Sequence, residues 1–190
     1  MPKLLAFAGS IRRNSYNQAI LDVAVEGARE AGAEVTVISL EDYAMPIFNE
    51  DEESAHGIPE RAQAFKELLI NHDGFLIASP EYNSSYPALL KNALDWASRK
   101  AGDEKVMQAY KGKVAGIMAS SAGGLGGLRV LVVLRMLLEN MGVIVAPNQK
   151  AIAKVSGLLD DNHAISDEKT IKQLKGLGRD TANLCEKVCQ

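Results

Sequence analysis

The sequence predicts an α/β protein: a three-layer α/β/α sandwich on a five-stranded parallel sheet of order 2-1-3-4-5. Two observations predict it. Short apolar runs of strand length, Leu4 to Ala8 foremost, lack polar alternation, as expected of strands covered on both faces. Helix-length segments separate these runs, so consecutive strands pair in parallel through right-handed crossovers. With 190 residues, 47% hydrophobic and 5% aromatic, the chain suits one compact domain with a full core.

The first strand ends at Gly9, and Ser15 is placed as N-cap of a helix from Tyr16 to Ala31. Glu34 to Leu40 reads as a β-branched second strand. A long loop follows through Met45, Pro46, Ile47 and Phe48, and the acidic run Glu50 to Glu53 reads as solvated surface, because nothing pairs it with a second ligand cluster. Pro59 suits the first turn of a helix to Asn71, and Gly74 to Ser79 is the third strand. Pro87 opens a helix whose Leu89, Leu90, Ala93, Leu94 and Ala97 share one face. On that helix Lys91 and Asp95 pair on the other side, and Trp96 borders the core.

Lys113 to Ala119 is the fourth strand, and a glycine-rich loop, Ser120 to Gly127, leads into a helix reaching Asn140 and stopped by Gly142. Val143 to Ala146 is the fifth strand, and Ser166 caps a last helix running towards Cys189.

Composition narrows the function. A net charge of -3 gives no long-range attraction for nucleic acid or anionic lipid. Leu4 to Ala8 is too short for a secretory hydrophobic region, and no run approaches spanning length, so no membrane partner is expected. His56, His72 and His163 are scattered, and Cys185 and Cys189 lie one helical turn apart near the end. A metal site would need more ligands, and the cysteines read as reduced thiols of a cytoplasmic protein.

In the order 2-1-3-4-5 the strand sequence reverses between strands 1 and 3, and ligands bind beside such a switch point at the carboxyl ends of the strands. Three loops converge there. The first, Gly9 to Asn17, offers the hydroxyls of Ser10 and Ser15, the amide of Asn17 and the cation of Arg12 at a helix N-terminus, which suits a phosphate. The same residues also suit an ordinary strand-to-helix turn, and neither the P-loop nor the dinucleotide-binding glycine fingerprint occurs. The second loop, Ser79 to Tyr86, sets Glu81, Tyr82 and Asn83 behind the stiff Pro80. The third carries Gly123, Gly124, Gly126 and Gly127, which let backbone approach a flat ring.

Gly9-Ser10-x-Arg12-x-x-Ser15-x-Asn17, Pro80-Glu81-Tyr82-Asn83 followed by Leu90-Lys91-Asn92-Ala93-x-Asp95-Trp96, and Gly123-Gly124-x-Gly126-Gly127-x-Arg129 together resemble the NADPH-dependent FMN reductase family, from Lys3 to about Pro147. The resemblance implies a flavodoxin-like fold, FMN as cofactor, NADPH or NADH as co-substrate, and quinones, free flavin or similar small molecules as acceptors. It implies that Ser10, Arg12, Ser15 and Asn17 hold the FMN phosphate and that Pro80, Glu81, Tyr82 and Asn83 line the isoalloxazine ring. Ser121, Gly123 and Gly124 would close over the ring. No catalytic side chain is then required, since the flavin carries the chemistry, and turnover should be ping-pong. A flavodoxin-type carrier without nicotinamide oxidation is the alternative.

The helix after the third loop adds an expectation about assembly. At about 100° per residue, Val130, Val133, Leu134, Leu137, Leu138 and Met141 share a face that covers the sheet. Leu128, Val132 and Met136 fall opposite, among Arg129, Arg135 and Glu139, which predicts a homodimer or homotetramer packed through Leu128 to Met141.

Overall fold

A computed structural model describes residues 1–188, so Cys189 lies outside the described residues. The central sheet contains β1 (Lys3–Ala8), β2 (Glu34–Ile38), β3 (Gly74–Ala78), β4 (Val114–Ser120), β5 (Ile144–Val145) and β6 (Lys150–Ile152). All its pairings are parallel, and the order is β2-β1-β3-β4-β5, as the alternation of elements predicts. Among the described residues the expected five strands are six. β5 pairs with the start of β4 and β6 with its end, so two short strands share the fifth position. Pro147 falls between them and has no N–H to offer a ladder, which accounts for the break.

Side chains of β1 alternate between two cores. Leu5 and Phe7 join α3 (Glu60–Asn71), α4 (Ala88–Ser98) and α5 (Leu128–Asn140) on one face, and Leu4, Ala6 and Ala8 meet α1 (Tyr16–Glu30) and α6 (Glu168–Val188) on the other. The contact between α1 and α6 is the most extensive between any two helices. It is a backbone-to-backbone approach: a Cβ at Gly178 would collide with the carbonyl of Ala24, and one at Gly27 with that of Lys175. Lys175 adds ion pairs to Glu26 and Glu30 at its rim.

Three local expectations are corrected. The acidic run Glu50 to Glu53 is the first turn of a helix, α2 (Glu50–His56). Asn49 Oδ1 accepts from Asp51 N–H at 2.9 Å, and carboxylates suit the positive end of the helix dipole. Glu53 then accepts from Arg99 Nε at 2.9 and 2.8 Å, which binds α2 to the end of α4. The cap of α6 is Asp167, whose Oδ2 accepts from Thr170 N–H at 2.8 Å, whereas Ser166 Oγ donates to Leu158 O. On α5, Leu131 joins Val130, Leu134 and Leu138 in the core, while Val133 and Leu137 are only half-buried.

Elsewhere the elements follow the expected signals. Ser15 caps α1, its Oγ accepting from Gln18 N–H. Lys91 Nζ reaches both oxygens of Asp95 at 2.6 Å. Trp96 is buried, and its indole N–H donates to Pro46 O at 2.8 Å. Asn92 takes the same carbonyl and also accepts from Phe48 N–H, which clamps the loop after β2 onto α4. No helix among the described residues is long and apolar enough to cross a membrane.

Candidate functional site

The carboxyl ends of β1, β3 and β4 open into a cleft of about 340 Å³ at the switch point. Of the residues singled out from sequence, Ser10, Arg12, Ser15, Asn17, Pro80, Glu81, Tyr82 and Ser121 line it together; Asn83, Gly123 and Gly124 do not. A second, more apolar cleft of about 340 Å³ shares Ser10, Arg12 and Tyr82 and runs on over Pro87, Ala88 and Leu89 at the start of α4.

The first loop turns sharply at Asn14, which holds a left-handed φ of 57° that Asn tolerates. Ser10 Oγ then accepts from Arg12 N–H, and the Arg12 guanidinium lies 4.8 Å from the centre of the Tyr16 ring. At the start of α1, Gln18 N–H goes to Ser15 Oγ and Ala19 N–H to Ser15 O. The N–H groups of Tyr16 and Asn17, which have no acceptor within the helix, belong to cleft-lining residues. Asn17 is committed to the frame. Its Oδ1 accepts from Ser120 N–H at 3.0 Å and its Nδ2 donates to Ser120 O at 3.4 Å, fastening the first loop to the end of β4.

Tyr82 and Asn83 sit at the tip of the second loop, where reciprocal backbone bonds between Tyr82 and Ser85 close a tight turn with Asn83 and Ser84 at positive φ. The Glu81 carboxylate is engaged elsewhere: Oε2 accepts from Arg129 N–H at 3.0 Å and Val130 N–H at 3.1 Å, the first turn of α5. The glycines of the third loop divide into two kinds. Gly126 and Gly127 have positive φ, and a Cβ on them would strike Ala153 and Ala119, so their need for glycine comes from this chain's own packing. Gly124 faces open space, and a Cβ at Gly123 would only touch Ser121 Oγ at 3.6 Å. Gly123 O accepts from Lys154 N–H, so the undistinguished segment after Asn148 holds this loop in place.

Sequence reasoning passed over Ser120. Its residue is almost wholly buried at the end of β4 and lines the cleft, and its Oγ has no hydrogen-bond partner among the described residues. An orphaned hydroxyl of this kind costs about 1–3 kcal/mol unless a ligand satisfies it. A hydroxyl closing an apolar strand, Met118-Ala119-Ser120, was its only signal.

These groups fit a phosphate monoester. Hydroxyls, helix N–H groups and a guanidinium line the cleft together with the unsatisfied Ser120 hydroxyl. An NAD(P)H-dependent FMN reductase of Pseudomonas aeruginosa is 35% identical over 167 residues, covering 84% of this chain and 85% of that protein. A 2-hydroxy-1,4-benzoquinone reductase of a Burkholderia species is 32% identical, covering 91% of this chain and 90% of its own. The solved structure of FerB, an NAD(P)H:(acceptor) oxidoreductase of Paracoccus denitrificans, superposes over 98% of both chains with a TM-score of 0.82 at 27% identity. Residues 2–157 match the pattern of the NADPH-dependent FMN reductases, and the chain belongs to that family of flavin oxidoreductases.

Proposed function

We propose that the protein carries FMN in the switch-point cleft and transfers electrons from NADPH or NADH to quinones, free flavin or a similar small acceptor. The observation that carries this reading is the donor set at the head of the cleft, where Ser10, Arg12 and Ser15 meet the Tyr16 and Asn17 N–H groups, which have no acceptor within α1. FMN bound there supplies the redox chemistry between nicotinamide and acceptor. The chain's own part is to bind and orient. Ser10, Arg12, Ser15 and the first turn of α1 take the phosphate, Asn17 keeps their loop registered on β4, and Pro80, Tyr82 and Ser121 border the ring, while Asn83, Gly123 and Gly124 lie outside the cleft lining. Glu81 contributes its main chain.

Nicotinamide and acceptor meet the same open face, so the first product leaves before the second substrate enters. Initial-rate lines at several acceptor concentrations should be parallel, and intersecting lines would refute the shared face. Anaerobic mixing with NADPH should bleach the yellow protein, and a quinone should restore the colour. Colour that persists with either nicotinamide would leave a flavodoxin-type carrier, and a colourless protein that takes up no FMN would leave neither reading. We propose further that the protein works as a homodimer or a dimer of dimers through α5, whose outward Leu128, Val132 and Met136 are 48%, 63% and 56% exposed.

A further inference from the structure

The helix α5 begins without a cap of its own. Gly127 occupies the N-cap position, has no side chain to offer, and holds a left-handed φ of 84°. Its first-turn N–H groups nevertheless have an acceptor, and it comes from the second loop, 48 and 49 residues earlier: Glu81 Oε2, at 3.0 Å from Arg129 N and 3.1 Å from Val130 N. The other oxygen lies 3.9 Å from Arg129 Nη1, and the Glu81 side chain is 14% exposed.

We propose that Glu81 is a positioning residue: its carboxylate caps α5 from another loop and thereby fixes the Pro80–Asn83 main chain at the flavin cleft in register with the third loop. The resemblance to flavin reductases places Glu81 along the ring, but this carboxylate is satisfied by two helix N–H groups, the positive end of the α5 dipole and the Arg129 guanidinium. What Glu81 gives the cleft is therefore the location of its backbone. The length of the side chain matters more than its charge. Gln keeps an acceptor oxygen at the same reach, whereas Asp keeps the charge and falls one methylene short.

This inference rests on the FMN reading for its functional half only, and its structural half is tested without cofactor. Amide hydrogen exchange on the flavin-free protein should find Arg129 and Val130 protected in wild type and in Glu81→Gln, and exchanging at least about fivefold faster in Glu81→Asp and Glu81→Ala. FMN titration should then give a Kd for Glu81→Gln within about threefold of wild type, and one raised about tenfold or more for Glu81→Asp. The Asp variant answers the question even where the Ala variant does not fold. Unchanged protection in Glu81→Asp would overturn the cap. A Gln variant that loses FMN as badly as Asp, or an Asp variant that binds it as wild type does, would overturn the positioning role. A wild-type protein that takes up no FMN would sink the proposed function while the exchange result still judged the cap.

Discussion

Ser15 and Ser120 both line the cleft and invite opposite experiments. Ser15 Oγ occupies the mouth of α1, so Ser15→Glu puts a carboxylate where a phosphate carrying roughly two negative charges should sit, and FMN binding should be abolished. Purified Ser15→Glu protein that stays yellow would refute the cradle. Ser120→Ala removes an unsatisfied buried hydroxyl, so the flavin-free protein should melt no lower than wild type and gain up to about 1 kcal/mol. Its FMN affinity should fall by about tenfold if that hydroxyl meets the cofactor, which a flavin fluorescence titration reads directly. Cys185 is buried against Gly74, the first residue of β3 and so at the far end of the strand from the cleft; Cys185→Ser should leave turnover per folded molecule intact. The Ser15 cap was legible from a hydroxyl preceding an amphipathic run. The roles of Asn17 and Glu81 were not, because their partners lie 103 and 48 residues away and no local rule names them.

Among the elements, α3 is tied to the segment after α4 by a buried cation. Lys66 is 1% exposed, and its Nζ donates to Glu104 Oε2 at 2.7 Å and to Arg99 O at 3.2 Å. Burial pushes the Glu104 carboxyl up, but hydrogen bonds from Lys66 and the Ala101 N–H, with the Lys66 charge, outweigh it and hold the group below the ordinary carboxylate range. A depressed folded pKa stabilises above the unfolded value and is lost as pH falls through the folded one. Wild-type stability should therefore decline below about pH 4.5 more steeply than that of Glu104→Gln, as urea midpoints across acid pH would show. At neutral pH, Glu104→Ala strands the Lys66 charge and should cost about 3 kcal/mol. Strands and amphipathic helices were readable from periodicity, since burial on one or both faces writes itself into the spacing of apolar residues. The helix α2 was not, because none of its residues is buried; its one legible mark was Asn49 before four carboxylates.

For the molecule as a whole, the family and the sheet order were legible because the three loops that carry the motifs follow β1, β3 and β4, three neighbouring strands of the sheet beside one switch point. Assembly is the expectation still to be measured. Burying Leu128, Val132 and Met136 against a second copy would recover about 25 cal/mol per Å² of apolar surface, and Arg135 is already turned inward to the carbonyls of Val145 and Ala146, leaving the outer face of α5 more apolar. Light scattering at micromolar concentration should give a dimer or tetramer for wild type and a smaller mass for Val132→Glu with Met136→Glu. A monomeric wild type, or an unchanged mass in the variant, would remove α5 as the interface.

The backbone contact of α6 with α1 bears on where this molecule can be cut. The family pattern stops at residue 157, yet α6 begins at Glu168, and its Gly178 lies against the carbonyl of Ala24 on the helix whose first turn heads the cleft. A fragment trimmed at the edge of the pattern would keep every motif and every loop of the site. It would also expose the apolar back of α1 to water and leave that helix with nothing to press against, so its chemistry would be complete on paper and its footing gone.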